Sequence, residues 1–330
     1  MLCPHRLLVN YCPTHYNGAP FAVLCAVLFR VGHPVSYEYL ALLAAACWAV
    51  GSLMSATAST HLGAFAFTRL RMLSASLMLW LIALMMGSWQ TLTPDSLWLL
   101  AVSGIIGIFI GDTALFAAMN RLGPRRAGVL FATHSLFSAL LAYLFLGETL
   151  WGWTLIGSSL LISGVMTAIL FGKRKGEEHA WESGNQQIKR GIALALLSAL
   201  CQSVSTLMLK PLMETDIDAV AASAVRMSTA FGLHFALLVL GFSVAKAKSP
   251  ATPKVLALTV GNAALSMVLG MTLILQALKH GNAGLVAILS SVSPILVLPL
   301  LWLVYRKSPA IGAWLGAAMT VAGTMLILVH

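Results

Sequence analysis

Long apolar runs separated by short polar gaps organise the chain from residue 36 to residue 329. Runs of about 20 residues, the length at which a helix crosses a hydrocarbon core of roughly 30 Å, fall near 36–57, 62–86, 97–119, 127–147, 150–171, 190–210, 219–243, 255–278, 284–305 and 309–329. The pattern predicts an all-α integral membrane protein with ten transmembrane helices. The only long hydrophilic stretch, opening GKRKGEEHAWESG, is a linker over 172–189 that divides the helices five and five.

The halves on either side of that linker, 36–171 and 190–330, look like copies. Advancing by 159 residues lays Ser103, Gly107 and Gly111 on Asn262, Ser266 and Gly270, and Gly157 and Gly164 on Gly316 and Gly323. Advancing by 154 aligns AACWAVGSL (45–53) with ALCQSVSTL (199–207), and by 155 aligns Arg71-Met72 with Arg226-Met227. Five is odd, so tandem copies enter the membrane in opposite directions, which predicts two inverted five-helix repeats.

Composition agrees with the pattern. With 59 % hydrophobic and 9 % charged residues, and a mean hydropathy of +0.89, the chain suits a bilayer rather than a water-facing core. The 20 Lys and Arg against 10 Asp and Glu sit mostly in the gaps between spans. They act as topology signals rather than a nucleic-acid footprint, so no nucleic-acid partner is expected. One face would carry Arg6, Arg30, Lys210 and Lys279, the other Arg121, Arg125, Arg126, Lys173, Arg174, Lys175, Lys189, Arg190, Lys246, Lys248, Lys254, Arg306 and Lys307. The positive-inside rule makes the second face cytoplasmic and leaves both termini outside.

Residues 1–35 precede the first span as a poorly ordered extension. Their apolar core, FAVLCAVLF, is too short to cross, and no clean basic region and cleavage site mark a signal peptide. Cys3, His5, Cys12 and His15 are soft-metal ligand types, but their spacing matches no known zinc pattern, and no metal or cofactor is called for. Cys25, Cys47 and Cys201 read as small core side chains.

The pattern GDTALFAAMNRLGPRRAGVLFATHSLFSALLAYLFLGETLWGWTLIGSSLLISGV and its echo LILQALKHGNAGLVAILSSVSPILVLPLLWLVYRKSPAIGAWLGAAMTVAG carry a resemblance. Together with the five-plus-five layout they resemble the EamA-type carriers of the drug/metabolite transporter superfamily. The LGE after the fourth helix, the paired glycines of helices five and ten and the basic turn after helix three are characteristic in combination. The chain departs from the family at His134-Ser135, where a proline is frequent, while the ninth helix keeps Pro294. The resemblance implies a gradient-coupled carrier, often an exporter, for amino acids or other small metabolites.

Charges inside apolar runs are costly in lipid and must face the bundle interior. At 1.5 Å per residue, Arg71, Asp112 and His134 fall in one layer roughly 10–14 Å below the basic face. Asp112 is then a proton or counter-ion site held by Arg71 and His134, or else part of a buried pair that only fixes helix register. The second half has Met271 opposite Asp112. Arg226 therefore stands as a lone arginine suited to a substrate carboxylate or phosphate, or snorkelling to headgroups. Nearer the midplane, Trp48 and Ser52 correspond to Gln202 and Thr206, and Ser293 and Pro294 interrupt the ninth helix. Pro294 frees a carbonyl of the kind that lines carrier cavities, whereas single serines also bond their own preceding turn.

A carrier explains the internal repeat, the polar layer and the lack of a soluble domain. An enzyme would need a denser set of acids, histidines or nucleophiles, and a channel usually repeats around an axis by oligomerising. The expected protein is a secondary active transporter in a bacterial inner membrane. It would work as a monomer or homodimer on a small-molecule substrate, with a coupling proton or counter-substrate and membrane lipid as its other partners. The alternative within carriers is an exchanger of phosphorylated or nucleotide-linked sugars.

Overall fold

The computed structural model describes residues 36–171, 185–293, 295–297, 299–300 and 311–329. The extension with Cys3, His5, Cys12 and His15, most of the linker, and Pro294 lie outside the described residues.

Every regular element among the described residues is helical. They are α1 (Tyr37–Leu62), α2 (Ala64–Met86), α3 (Pro94–Gly104), α4 (Thr113–Ala132), α5 (His134–Leu146), α6 (Gly152–Phe171), α7 (Asn185–Met213), α8 (Ala219–Val239), α9 (Pro253–Asn262), α10 (Met271–His280), α11 (Ala283–Ser290) and α12 (Ile311–Val329). Two π-helical stretches, Ile105–Asp112 and Ala263–Gly270, join α3 to α4 and α9 to α10. Six segments are long and apolar enough to cross a bilayer: Tyr37–Leu62, Ala64–Met86, Pro94–Leu122, Ile188–Met213, Ala219–Val239 and Pro253–His280. Shorter apolar helices occupy the expected fourth, fifth, ninth and tenth positions.

Local chemistry explains where these rods start and stop. At the reversal between α1 and α2, Gly63 has φ +84°, a conformation that costs a side-chain-bearing residue strain. Both α3 and α9 open on Thr-Pro. Thr93 Oγ1 accepts from Ser96 N and Thr252 Oγ1 from Val255 N, each at 3.3 Å, and the proline fills the first helical position, where no N–H is needed. Asp218 caps α8 by accepting from Val220 N at 2.8 Å and Ala221 N at 3.1 Å.

Boundaries depart from the apolar pattern in three places. Helix continues through the expected basic turn near 121–126 as far as Ala132, and the break falls at Thr133. The expected ninth span is interrupted after Ser290, where Ser291 N turns back to the carbonyls of Ala287 and Ile288. The third and eighth spans, expected as plain α-helix, each contain the π stretch. Hydropathy carries no mark that separates that geometry from α.

Packing brings the two halves together helix by helix. α2 lies against α8, α5 against α11 and α6 against α12. α7 runs along α3, the first π stretch and α4, while α1 runs along α9, the second π stretch and α10. The α6–α12 contact depends on small residues: a Cβ on Gly164 would stand 2.7 Å from Gly316 O, and one on Gly157 2.8 Å from Gly323 O. Lipid gives helices no hydrophobic reason to associate, so such close backbone approach supplies the attraction. The central core is built of small and flexible side chains, Met72, Ala75, Leu79, Ala224, Met227, Ala230, Met267 and Met271 among them. Leu81, Leu84, Leu144, Phe145 and Ile156 point outward, as a lipid-facing surface requires. Trp98 and Trp151 are exposed at helix starts, where amphipathic rings favour the headgroup level.

Candidate functional site

Arg71 and Asp112 meet in the bundle core. Arg71 belongs to the face of α2 that packs inward with Phe67 and Ala75, and Asp112 is the last residue of the first π stretch. The guanidinium Nη2 bonds the Asp112 carboxylate directly. It also lies over the Phe116 ring at 4.8 Å and the Phe67 ring at 5.7 Å, contacts that suit a cation placed against aromatic faces. Nη1 donates to Asn262 Oδ1 at 3.4 Å, and Asn262 in turn donates to Gly51 O at 2.7 Å. That amide ties α1, α2 and α9 to one charge. Arg71 is 4 % exposed and Asp112 14 %.

Arg226 occupies the corresponding place on α8 and is 1 % exposed. Its Nη2 donates to Ser205 Oγ at 3.0 Å and its Nη1 meets the thioether of Met271 at 3.2 Å. Ser205 passes its own proton to Ser103 O at 2.9 Å. Gly104 lets α3 approach this closely, since a Cβ there would stand 2.8 Å from Arg226 O. The Nε groups of both arginines find no hydrogen-bond partner among the described residues. Asp112 lies within electrostatic reach of Arg226 as well as Arg71.

His134 is not part of this cluster. It opens α5 with its ring against Phe131 at 5.0 Å, and its carbonyl accepts from Ser203 Oγ at 2.8 Å. Among the described residues the ring makes no ion pair or hydrogen bond with Asp112 or Arg71. The expected trio is therefore a pair, because the helix break falls at Thr133, immediately before the histidine.

A different histidine sits beside the pair. His234, 1 % exposed on α8, shares a hydrogen bond between Nε2 and Thr113 Oγ1 at 3.0 Å, next in sequence to Asp112. Phe109 and Phe65 meet its ring edge-on at 4.8 and 5.7 Å. Its sequence signal was a polar side chain eight residues after Arg226 within an apolar run.

The other expected residues divide by how their polar atoms are satisfied. Trp48 donates Nε1–H to Ser266 O in the second π stretch at 3.0 Å, and so fastens α1 to it. Ser52 bonds its own preceding turn, Oγ to Ala49 O at 2.7 Å. Gln202 and Thr206, one turn apart on α7, have no side-chain hydrogen bond among the described residues, which leaves their polar groups available. Ser293 is half-buried where helix resumes after the turn, and its neighbour Pro294 lies outside the described residues.

The acid of the LGE stretch has a structural partner far along the chain. Glu148 accepts from Ala283 N at 2.7 Å and Gly284 N at 3.0 Å, so it caps α11 with a carboxylate at the positive end of the helix. At the other side of that corner Lys210 Nζ donates to Leu278 O at 3.0 Å and pairs with Glu214 at 2.8 Å.

Residues 35–170 and residues 189–329 each match the profile of the EamA-like transporter family. A curated relative, an uncharacterized transporter of Clostridium kluyveri, is 31 % identical over 123 residues, 37 % of this chain and 38 % of that protein. The match thus spans well under half of the relative's length. A solved structure, titled only as the crystal structure of a protein, is similar in fold at a TM-score of 0.72 and 20 % identity, covering 89 % of this chain and 96 % of that one.

Proposed function

The chain belongs to the EamA-like transporter family and is an integral membrane transporter; from that premise we propose a secondary active carrier that moves a small metabolite, an amino acid or related compound, by alternating access. The observation that carries this reading is the Arg71–Asp112 pair, a carboxylate bonded to an arginine inside a bundle whose central apolar cluster is mostly alanine, methionine and leucine. Such groups are expensive at membrane depth and are kept for ion or substrate pathways. Bonded to Arg71 in one state and parted from it in the other, Asp112 would take up and release a proton or counter-ion as the bundle alternates.

The architecture suited to that cycle is two inverted five-helix copies, 36–171 and 190–330, joined by the 172–189 linker. Support comes from the two separate family matches and from reciprocal packing, in which α1 lies along the second π-containing rod as α7 lies along the first. Thr93-Pro94 and Thr252-Pro253 start those rods 252 − 93 = 159 residues apart. The membrane proposed is a bacterial inner membrane, with the linker in the cytoplasm and export as the direction.

Proteoliposomes containing wild type and Asp112→Asn, assayed side by side for proton-driven uptake and for counterflow of radiolabelled amino acids, test the reading. Loss of uphill accumulation with counterflow retained supports it. Undiminished proton-driven accumulation by the variant overturns it.

A further inference from the structure

Among the described residues the buried centre of the bundle holds two guanidiniums and a single carboxylate. Arg71 has that carboxylate directly bonded to it. Arg226 has none within hydrogen-bonding distance: its terminal nitrogens meet a hydroxyl at 3.0 Å and a thioether at 3.2 Å, and its Nε bonds nothing. A guanidinium that is 1 % exposed with only neutral acceptors is strongly short of a counter-charge.

The shortage has a definite origin. Arg226 stands 226 − 71 = 155 residues after Arg71, and Met271 stands 271 − 112 = 159 residues after Asp112. The Arg226–Met271 contact is therefore the counterpart of the Arg71–Asp112 pair, with the acid replaced by a neutral sulfur. Arg71 meets the last residue of the first π stretch and Arg226 the residue just after the second, and only Arg71 finds a negative charge there.

We propose that the missing charge arrives with the substrate, and that Arg226 and Ser205 form the subsite for the carboxylate of a small organic acid or amino acid. This rests on the reading of the chain as a carrier and names the substrate group that reading leaves open. A planar carboxylate matches the two-donor edge of a guanidinium, and the unbonded Nε–H supplies one of those donors. Charge decides against a phosphate monoester. One unit of charge neutralises the centre, whereas a dianion would leave an excess negative charge facing the Asp112 carboxylate, which already lies within electrostatic reach of Arg226. Gln202 and Thr206 lie within one turn of Ser205 on α7, and among the described residues their side chains make no hydrogen bond.

The test is a thermal-shift titration of the purified full-length protein at constant ionic strength with sodium pyruvate, alanine and glycerol 3-phosphate as probes, on wild type, Met271→Asp and Arg226→Met. Met271→Asp builds the absent counter-ion into the protein. We expect pyruvate or alanine to raise the wild-type melting temperature above glycerol 3-phosphate at equal concentration. We expect Met271→Asp to melt higher than wild type without ligand, and its half-saturating concentration for the carboxylate probes to rise by at least about tenfold. Arg226→Met, which removes the charge from a site already apolar, should lose the carboxylate response as well, and serves alone if Met271→Asp does not fold. No carboxylate-specific shift in wild type, or an equal shift in the variants, overturns the proposal. Carboxylate binding that depends on Arg226 in a protein that transports nothing in proteoliposomes would instead refute the carrier reading, while transport without any such binding would refute the subsite alone.

Discussion

The Arg71 guanidinium bonds the Asp112 carboxylate directly inside the bundle, the base 4 % exposed and the acid 14 %. Truncating the acid leaves an uncompensated buried cation. Asp112→Ala should therefore destabilise by about 3–5 kcal/mol, while Asp112→Asn, which keeps shape and most hydrogen bonding, should cost much less. Thermal unfolding of both variants in detergent checks the order. Equal losses would mean that the lost charge sets the whole cost, and that the shape and hydrogen bonding kept by asparagine play no part in holding Arg71.

Asn262 links that charge to the backbone of α1 by accepting from Arg71 at 3.4 Å and donating to Gly51 O at 2.7 Å. Asn262→Leu removes both bonds inside the bundle and leaves a buried guanidinium nitrogen without a partner, while Gly51 O keeps the bond of its own helix. A loss of about 1–3 kcal/mol per orphaned group is expected, read as a lower melting temperature.

Glu148 capping α11 across 283 − 148 = 135 residues of chain predicts a local effect. Glu148→Ala should cost about 0.5–2 kcal/mol, the range for a lost helix cap. Hydrogen exchange should speed up at Ala283 and Gly284 with little change in α2 or α8. Uniform loss of protection across the bundle would show that the carboxylate does more than cap.

Two glycines give a matched comparison. A Cβ at Gly164 would stand 2.7 Å from Gly316 O and 2.5 Å from Thr320 N, whereas one at Gly232 in α8 meets nothing within 4 Å. Gly164→Ala should destabilise by about 1–3 kcal/mol through overpacking. Gly232→Ala should be neutral or stabilise by up to about 1 kcal/mol from helix propensity. Melting temperatures in one detergent decide it.

Orientation is tested by fusing a fluorescent protein or alkaline phosphatase to His330. Phosphatase activity without fluorescence there agrees with a carboxy terminus outside and a cytoplasmic linker. The opposite result inverts the topology.

The buried charges were legible in the sequence because Arg71, Asp112 and Arg226 interrupt apolar runs, and charge at membrane depth is too costly to be incidental. Their partners were less so. Rise per residue puts His134 at the depth of Asp112, but depth does not fix which way a ring points, and the His134 ring lies on Phe131. The histidine next to Asp112 is His234, which shares a hydrogen bond with Thr113. Nothing local distinguishes them, since each is a histidine in an apolar helix.

What the sequence determined by itself is the solvent and the family: composition and run length demand a bilayer, and glycines and arginines recurring near the same offset mark the related halves. Those signals are local or periodic, and survive without knowledge of what touches what. Only the tertiary structure decided that the third and eighth spans pass through π geometry, that Glu148 caps α11, and that Arg226 faces sulfur where Arg71 faces a carboxylate. The physical reason is that these depend on the separation of atoms far apart in the chain. In a membrane bundle those separations are set by how closely small residues let helices approach, a property of paired surfaces rather than of any one segment.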